Sequence, residues 1–388
     1  MATTSVDIYR TGESFYVPVY EVKIAGRGLP DDILRDVMRV SYRDSVQEID
    51  SFDLTINNWD AQERKLKYEP PSRGGYQGIF DPKQKVELHM GYLGNTRLML
   101  TGEITTLEPD FPSSGGPTLS VRGLNVLHSF RTEQHTYAWE QKRDSDIARW
   151  LGSQPRRANR PGLGIEVRPN PVPGEQEEPY VLMDNQYDIV FLLERARRHR
   201  YEVVLREEQQ HGRTVQYLYF GPSSDAAEAP VYRLEWRKSI VSFKPTLTTA
   251  RQVSKVVVRG WDRHANRVIE ETATWQDIYR SGGPERDRMQ LLAQTFGDRQ
   301  EVVTNRPVYT RAQARRMARD ILRNQLQDMV TASGSTVGLP DLRSGCKVEI
   351  TGLGSRFEGR YFVTETTHTI DDSGYRTTFN AKRDVPPQ

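Results

Sequence analysis

Hydrophobic and polar residues alternate along short runs of the chain, and this alternation predicts β-strands. In SFDLTIN, residues 51–57, Phe52, Leu54 and Ile56 point to one face and the polar residues between them point to the other. The runs YVPVYEVKI (16–24), VMRVSY (37–42) and ARQVSKVVVRGWD (250–262) are rich in β-branched and aromatic residues, which favour strands. The pattern predicts a mainly β protein.

A helical period interrupts the strands in three places. Apolar residues recur at helical spacing in RDSDIARWLGS (143–153), DNQYDIVFLLERARRHR (184–200) and TRAQARRMARDILRNQLQDMV (310–330). The first two predicted helices precede a predicted hairpin formed by YEVVLRE (201–207) and VQYLYFG (215–221). Together they predict a small α+β insertion over residues 131–235.

Residues 154–179 lie between the first two predicted helices and are rich in proline, glycine and charged residues. The segment offers few apolar side chains for burial, so we predict a long exposed loop. Since long loops cost little additional entropy, we also expect this loop to tolerate shortening.

One pattern occurs twice in the chain. KVELHMGYLGNTRLMLTGEITTLEP (85–109) and KVEITGLGSRFEGRYFVTETTHTID (347–371) both begin with Lys-Val-Glu, pass a glycine turn and resume as a strand that ends in threonines. In this alignment the corresponding residues are Lys85 and Lys347, Val86 and Val348, Gly102 and Gly359, and Val121 and Phe379. The offset falls from 262 residues at Lys85 to 257 at Gly102, which predicts a turn longer by five residues in the first copy.

Any two β-hairpins share valines and glycines, so an accidental match is the alternative to duplication. The order of hairpin, turn and strand argues against it, because the main length difference falls in a loop. The sequence therefore predicts a duplicated β module with the α+β insertion between the copies. An unrepeated enzyme domain does not need this layout, whereas an adaptor in an assembly can use it.

Composition and charge exclude several classes of protein. The 388 residues are 36% hydrophobic and 27% charged, with a mean hydropathy of −0.69, which is typical of a soluble protein with a wet surface. A net charge of +2 indicates no general affinity for nucleic acid. The sequence has no apolar run long enough to span a membrane, and MATTSVDIYRTGESF lacks the features of a signal peptide.

Residues that usually carry catalysis are scattered. No two of the seven histidines have the i, i+4 spacing of a zinc site, and Cys346 is the one cysteine, predicted to be buried. Neither a G-x-S-x-G elbow nor a phosphate-binding P-loop motif occurs. GLGSRFEG (352–359) precedes a predicted strand, whereas a dinucleotide site needs a helix there. We expect no enzyme activity, no cofactor, no bound metal and no specific nucleic acid.

Five ordered segments resemble the phage late control protein D family, from about residue 15 to the end. RLEWRKSIVSFKPTLTTARQVSKVVVRGWDRHAN (233–266) is similar to the segment that opens the second half of the family, and LRSGCKVEITGLGSRFEGRYFVTETTHTIDDSGYRTTFNAKRD (342–384) to its closing segment. The other three similarities are LTGEITTLEPDFPSSGGPTLSVRGLNVLHSF (100–130), DSDIARWL (144–151), and YDIVFLLERARRHRYEVV (187–204) with YLYFG (217–221). None of these segments carries a catalytic motif.

Members of this family form the baseplate hub of contractile tails and injection systems and are similar to the N-terminal part of type VI secretion spike proteins. The resemblance implies two similar β-barrel-like tube modules, residues 1–130 and 236–388, that flank the α+β region 131–235. It also implies a homotrimer that joins a sixfold inner tube protein to a threefold central spike, together with other baseplate proteins. Since the sequence ends directly after the second module, we expect the spike tip to be a separate protein.

Several alternatives stay open at the level of sequence. A contractile phage tail and an extracellular contractile injection system are not distinguished. A tail-associated cell-wall hydrolase would need a general acid in an apolar pocket beside a second carboxylate. A carbohydrate- or peptide-binding β protein would be a monomer. For the hub, we expect synthesis in the bacterial cytoplasm without a signal peptide and incorporation into a tail or particle.

Overall fold

The computed structural model is mainly β, as the alternation in the sequence predicts. It describes residues 4–5, 17–45, 48–68, 78–171, 173, 175–199, 201–210, 213–222, 232–250, 252–262, 265–279, 286–287, 289–290, 299–305, 308–354 and 356–384. The helices within these ranges are α1 (Asp31–Asp36), α2 (Asp144–Ser153), α3 (Asp188–His199), α4 (Trp275–Ile278) and α5 (Arg311–Asp328).

The strands are mostly short, and the two longest, Asn95–Asp110 and Gly359–Asp371, have 16 and 13 residues. They are β1 (Thr4–Ser5), β2 (Pro18–Ile24), β3 (Arg27–Gly28), β4 (Val37–Ser45), β5 (Ser51–Asn57), β6 (Trp59–Asp60), β7 (Lys65–Leu66), β8 (Lys85–Tyr92), β9 (Asn95–Asp110), β10 (Thr118–Asn125), β11 (Gln134–Lys142), β12 (Val167–Pro169), β13 (Glu178–Tyr187), β14 (Tyr201–Gln210), β15 (Arg213–Pro222), β16 (Tyr232–Glu235), β17 (Ile240–Leu247), β18 (Lys255–Asp262), β19 (Arg267–Thr274), β20 (Gln300–Val303), β21 (Val330–Val337), β22 (Lys347–Thr351), β23 (Gly359–Asp371) and β24 (Gly374–Arg383).

One 14-stranded sheet joins the two ends of the chain. Its centre is the pair β4 and β23, where N-terminal strands meet C-terminal strands. We call β2, β4, β5, β8, β9 and β10 the first module, and β16, β17, β21, β22, β23 and β24 the second module. The limits 1–130 and 236–388 predicted for two tube modules stay predictions.

Each module covers one face of its strands and leaves the other face polar. In β5, Phe52, Leu54 and Ile56 are buried, and the polar residues between them are only half-buried. The first module has its own apolar core, and so does the second, where α5 covers the strands with Ala314, Ala318, Leu322 and Leu326. The predicted alternation therefore sets the orientation of both modules.

The described residues between β10 and β16 fold around a third core. Here β11 pairs with β13, and β12, β15 and β14 form a small sheet. A buried ion pair joins α2 to α3, since Arg195 Nε donates to the Asp144 carboxylate at 2.5 Å. Removing one partner of such a pair would leave a buried charge without compensation. This region falls within the predicted insertion 131–235, except for a few residues before it.

The prediction of a long exposed loop at 154–179 is wrong for its central part. Leu163 is 1% exposed and Val167 is 3% exposed. The N–H of Leu163 donates to the Leu151 carbonyl at 2.9 Å, the N–H of Gly162 donates to Asp188 at 2.8 Å, and β12 pairs with β15. A few apolar residues among many glycines, prolines and charges have no detectable period, yet they complete the third core.

The second predicted helix also begins later than expected. Residues 184–187 continue β13 as far as Tyr187, and α3 begins only at Asp188. The Asp188 carboxylate lies 2.9 Å from His135 Nδ1 on β11. This contact holds the chain beside β11, so residues 184–187 pair as a strand and the helix begins only at Asp188. Tertiary contacts therefore outweigh the helical preference of the preceding residues.

Replacing Leu163 by alanine should lower the free energy of unfolding by about 2–5 kcal/mol, because it opens a cavity in a filled core. Urea unfolding followed by circular dichroism measures this loss. The control is Leu182→Ala in the same region, where the leucine is 49% exposed, and this change should cost about 0.5 kcal/mol or less. Equal small losses in both variants would mean that residues 154–179 do not support the core.

Candidate functional site: the joined modules and their free edges

The residues that the sequence singled out lie on corresponding strands of the two modules. Val86 on β8 is paired with Gly102 on β9, and Val348 on β22 is paired with Tyr361 on β23. Val121 on β10 and Phe379 on β24 are buried and lie opposite β9 and β23, respectively. Lys85 and Lys347 begin their strands, and Lys347 Nζ lies 3.0 Å from the Asp384 carboxylate.

The strand register differs from the sequence alignment at the glycines. Tyr361, and not Gly359, is the counterpart of Gly102, because Gly359 lies opposite Ile350. The two glycines also serve different needs. A Cβ on Gly102 would lie 2.2 Å from the Leu124 carbonyl oxygen, whereas Gly359 has a φ of +127°. Matching glycine to glycine therefore misaligned the copies by two residues.

The turn lengths differ from the expectation as well. The β8–β9 turn is the two residues 93–94, and the β22–β23 turn spans 352–358. The longer turn belongs to the second copy, and the additional residues of the first copy lie in its strands. The sequence comparison recovered the hairpins but not the position of the length difference, because turn and strand glycines look alike in sequence.

Each module has two β-bulges at positions that match those of the other module. In the first matching pair the unpaired residues are Thr105 in β9 and Thr364 in β23. In the second pair they are Met38 in β4 and Val241 in β17. A bulge changes the local twist and direction of a strand, so it is a specific feature of a backbone. Bulges at two corresponding places are what a duplicated backbone would produce.

The modules also share the order of their strands. Across the sheet this order is β2, β8, β9, β10, β5, β4 in the first module and β16, β22, β23, β24, β21, β17 in the second. Each strand thus has the same rank along the chain and the same place in the sheet as its counterpart. One pairing differs, since β2 is antiparallel to β8 whereas β16 is parallel to β22.

The modules meet in an antiparallel ladder between β4 and β23, which runs from Ser45 opposite Glu365 to Val40 opposite Ile370. A polar cluster lies on the covered face of this ladder. Thr366 Oγ1 donates to Asp44 Oδ1, and Asp44 Oδ2 accepts from the N–H of Ser344 at 3.0 Å. Every one of these contacts joins the first module to the second.

His368 and Arg343 complete the polar cluster. His368 Nε2 lies 3.0 Å from the Leu342 carbonyl oxygen, and its Nδ1 lies 3.0 Å from the Tyr375 hydroxyl. Arg343 places its guanidinium over the ring of Tyr42 at 4.6 Å and donates to the Leu98 carbonyl at 3.0 Å. A cation from the second module thus lies on an aromatic ring of the first.

Burial controls protonation in this cluster. It lowers the pKa of His368 well below the usual 6.5, with a further contribution from the charge of Arg343. Burial and the neighbouring charge of Asp44 raise the pKa of Asp50 to about 7, and burial also raises the pKa of Asp44. Asp50 accepts from Tyr42 and from Asn125, each at 3.3 Å.

Sequence reasoning missed this cluster. Its members are far apart in the chain, and the one available signal was that Asp44, Thr366 and His368 occupy inward positions in alternating strands. Polar residues at inward positions need partners from elsewhere in the fold, which a single sequence does not identify. The Thr366 hydroxyl also lies 3.3 Å from His368 Nε2, but both side chains are completely buried, which keeps a substrate away from them. Among the described residues, no group of three or more His, Cys, Asp or Glu is placed to hold a metal ion.

Each module also has one strand edge that lacks a partner in the described part of the chain. Phe243–Leu247 of β17 pair with β21 only, and Thr106–Asp110 of β9 pair with β10 only. These edges correspond to the paired edges of β4 and β23. The described residues thus contain one contact between modules, the β4–β23 ladder. They also contain two free edges, on β17 and β9, that could form an equivalent ladder.

The two ends of the joined sheet carry different structures. The turns 111–117 and 372–373, which follow β9 and β23, lie together at one end. At the opposite end the chain leaves β10 for the α+β region and leaves β17 for the region of α5. In addition, no helix within the described ranges is long and apolar enough to cross a membrane.

Comparisons with known proteins agree with this architecture. A family model described as the Alg8 N-terminal domain matches residues 16–372. No curated protein matches the chain in sequence. Three of the similar solved structures illustrate the fold. The 43 kDa tail protein of prophage MuSo2 from Shewanella oneidensis has 14% identity, covers 94% of this chain and 98% of its own, and gives a TM-score of 0.64. The tail protein from Neisseria meningitidis MC58 has 14% identity, covers 95% and 97%, and gives 0.64.

The third structure is a chain of the Francisella PdpA-VgrG complex, with 9% identity, coverage of 96% of this chain and 53% of that one, and a TM-score of 0.52. At these identities the similarity establishes the fold. The chain has the fold of phage tail proteins over nearly its whole length.

The raised pKa of Asp50 predicts a pH-dependent effect of Asp50→Asn. Folded Asp50 holds a proton up to about pH 7, whereas in the unfolded chain it loses the proton near pH 4. The folded state therefore binds more protons in this window, and Asp50 makes stability fall as pH rises through it. The variant lacks this titration. We therefore expect the free energy of unfolding of Asp50→Asn to rise relative to that of the wild type between pH 4 and 7, by up to about 1.4 kcal/mol per pH unit.

Urea unfolding at a series of pH values measures this difference. Subtracting the wild type also removes the opposite contribution of His368, whose lowered pKa makes stability fall as pH drops below 6.5. The control is Asp372→Asn in an exposed turn, which should stay within about 0.5 kcal/mol of the wild type at every pH. A flat difference for Asp50→Asn would place Asp50 in contact with water.

Proposed function

The chain belongs to the Alg8 N-terminal domain family, and we propose that it is a structural baseplate hub of a contractile phage tail or contractile injection system. In this role a homotrimer links the sixfold inner tube to the threefold central spike. The resemblance to the late control protein D family suggested this role, and the tail-protein fold supports it. The partners are further copies of the chain, a tube protein, a spike protein and other baseplate proteins.

The observation that carries the proposal is the strand-for-strand correspondence of the two modules, including both bulges. A threefold ring of single modules offers three equivalent positions, and a sixfold tube needs six. A trimer of duplicated modules presents six nearly equivalent positions while keeping threefold symmetry. The duplication is thus explained by a mismatch of symmetry between two partners.

The two ends of the sheet support an orientation for the hub. The end with the turns 111–117 and 372–373 is built alike in both modules, so a trimer would show six similar hairpin tips there. These tips carry Asp110, Phe111, Asp371 and Asp372. The opposite end carries two unequal additions, the α+β region and the region of α5, and would be only threefold. We propose that the hairpin end contacts the tube and the other end contacts the spike.

A structural role also suits the chemistry of the side chains. Asp50 and His368, whose pKa values are strongly shifted, are both buried and lie beside the module junction, where Asp50 hydrogen-bonds within the first module and His368 within the second. Cys346 is buried, with its Sγ 3.9 Å from the Asp341 carbonyl oxygen. These groups are positioned for packing and not for contact with a substrate.

The proposed orientation predicts which surface the tube protects. In a Cys346→Ser background, Ser114→Cys in one hairpin tip and Asp372→Cys in the other should react with a maleimide in the isolated chain. In complexes of hub and tube purified from the producing cells without the spike, both should be protected. Ser153→Cys, at an exposed position of α2 in the α+β region, is the control and should stay reactive. Protection of Ser153→Cys with labelling of both tips would reverse the orientation.

Cryo-microscopy of the assembled particle tests the hub role itself. We expect three copies of this chain around the axis, with both modules in the ring. A map with six copies, or with only one of the two modules in the ring, would overturn the proposal.

A further inference from the structure

The ladder between β4 and β23 shows how the free edges of β17 and β9 could pair, although a single chain does not bring these two edges together. Since β17 corresponds to β4, and β9 corresponds to β23, we infer that β17 of one copy pairs antiparallel with residues 106–111 of a second copy. The partner of these two edges is therefore another molecule of the same chain. The inference rests on the proposed trimer, and it adds the surface, the register and the chemistry of the contact.

The register follows from the pairings within the chain. Val40 on β4 is opposite Leu54 on β5, and Leu54 is opposite Val121 on β10. In the second module the same steps lead from Phe243 on β17 to Gly334 and then to Phe379. Phe243 therefore stands where Val40 stands. The bulges fall at the same distance in both strands, so the correspondence holds along β4 and β17.

The same reasoning assigns positions on β9. Leu107 is opposite Val121, and Thr366 is opposite Phe379. Leu107 thus corresponds to Thr366, and Phe111 to Ile370. Transferring the observed pairs of β4 and β23 gives the predicted pairs between copies, which are Phe243 with Phe111, Lys244 with Asp110, Pro245 with Pro109, Thr246 with Glu108 and Leu247 with Leu107.

The covered face of this predicted ladder would be entirely apolar. It contains Phe243, Pro245 and Leu247 from one copy and Leu107, Pro109 and Phe111 from the other. Leu107 is 37% exposed and Phe111 is 61% exposed in the single chain, while Phe243 and Leu247 pack against the second core with part of their surface uncovered. Pairing would remove these side chains from water, and the burial of apolar surface stabilises the contact.

The opposite face of the ladder would be polar and complementary in charge. Lys244 would lie opposite Asp110, and Thr246 opposite Glu108. Opposite charges that face each other across an antiparallel pair stabilise the pairing. Glu108 already lies 2.8 Å from Arg122 of its own chain. In the predicted register, apolar residues of one edge therefore face apolar residues of the other, and polar residues face polar residues. Two unrelated edges would not be expected to match in this way.

Two prolines explain how the single chain keeps these edges from pairing wrongly. Pro245 and Pro109 lie at facing positions, and each lacks the N–H that a ladder needs. Proline on an edge strand reduces pairing with foreign strands. The contact between copies would have fewer backbone hydrogen bonds than the β4–β23 ladder, so side chains must supply more of its stability.

The two edges differ from each other, and this shapes the assembly. One edge carries Lys244 and the other carries Glu108 and Asp110, so head-to-tail contacts are favoured over contacts between identical edges. Head-to-tail contacts close into a ring when the rotation permits. The eight strands β9, β10, β5, β4, β23, β24, β21 and β17 would then continue without a break around the ring, with their polar face towards the axis and their cores outside.

Cysteine cross-linking tests the register directly. Asp110→Cys and Lys244→Cys are combined in a Cys346→Ser background, and assembled particles are oxidised or treated with a short bis-maleimide. Most chains should then run as covalent trimers on a denaturing gel. Each single variant should remain monomeric.

Two matched variants control for geometry and specificity. Ser41→Cys with Thr369→Cys, the equivalent pair within one chain, should cross-link internally and leave a monomer of altered mobility. Thr106→Cys with Lys244→Cys, which is out of register, should give few trimers. The inference is overturned if the intrachain pair reacts while Asp110→Cys with Lys244→Cys yields no trimer. If the particle still shows three copies, that result rejects the ladder but leaves the hub role intact, and a particle without three copies rejects both.

Discussion

The antiparallel ladder between β4 and β23 is the contact on which the rest of the structure depends. It joins strands 322 residues apart, as the contact between Arg43 and Glu365 shows, and turns two sets of strands into one sheet. Bringing such distant segments together costs loop-closure entropy, which grows only slowly with length. The cores on either side of the ladder offset this entropy cost, because each module buries apolar surface of its own.

Several polar side chains are buried in the ladder. Asp44, Thr366 and His368 occupy positions where the neighbouring strands place apolar side chains. An unpaired polar group in such a place would cost about 1–3 kcal/mol. His368 finds its partners Leu342 and Tyr375 within the second module, whereas Asp44 finds Ser344 and Thr366 across the junction. The Asp44 contacts therefore favour the observed register of the two strands. The polar cluster thus contributes specificity to the contact, while the cores contribute most of the stability.

The two modules have kept the backbone of their shared strands and have changed what lies between them. Five residues separate β4 from β5, whereas a three-stranded sheet and α5 lie between their counterparts β17 and β21. Additions of this kind are tolerated where a strand ends at the surface, since they leave the pairings of the sheet untouched. Equal strands with unequal additions produce a molecule that is nearly symmetric at one end and asymmetric at the other, which is what the proposed adaptor requires.

The sequence by itself determined the strands, the long helices, the faces of the strands and the presence of a repeated hairpin. The alternation at Phe52, Leu54 and Ile56 suffices for this, because the side-chain period of a strand is a local property. Tertiary structure decided the rest. Gly102 and Gly359 look equivalent in sequence, but strand pairing assigns them different positions. Leu163 has no local signal of burial and is buried because α2 lies beside it. Asp44 acquires its partners only when β4 meets β23, since the cost of burying a polar group depends on partners that lie far away in the chain.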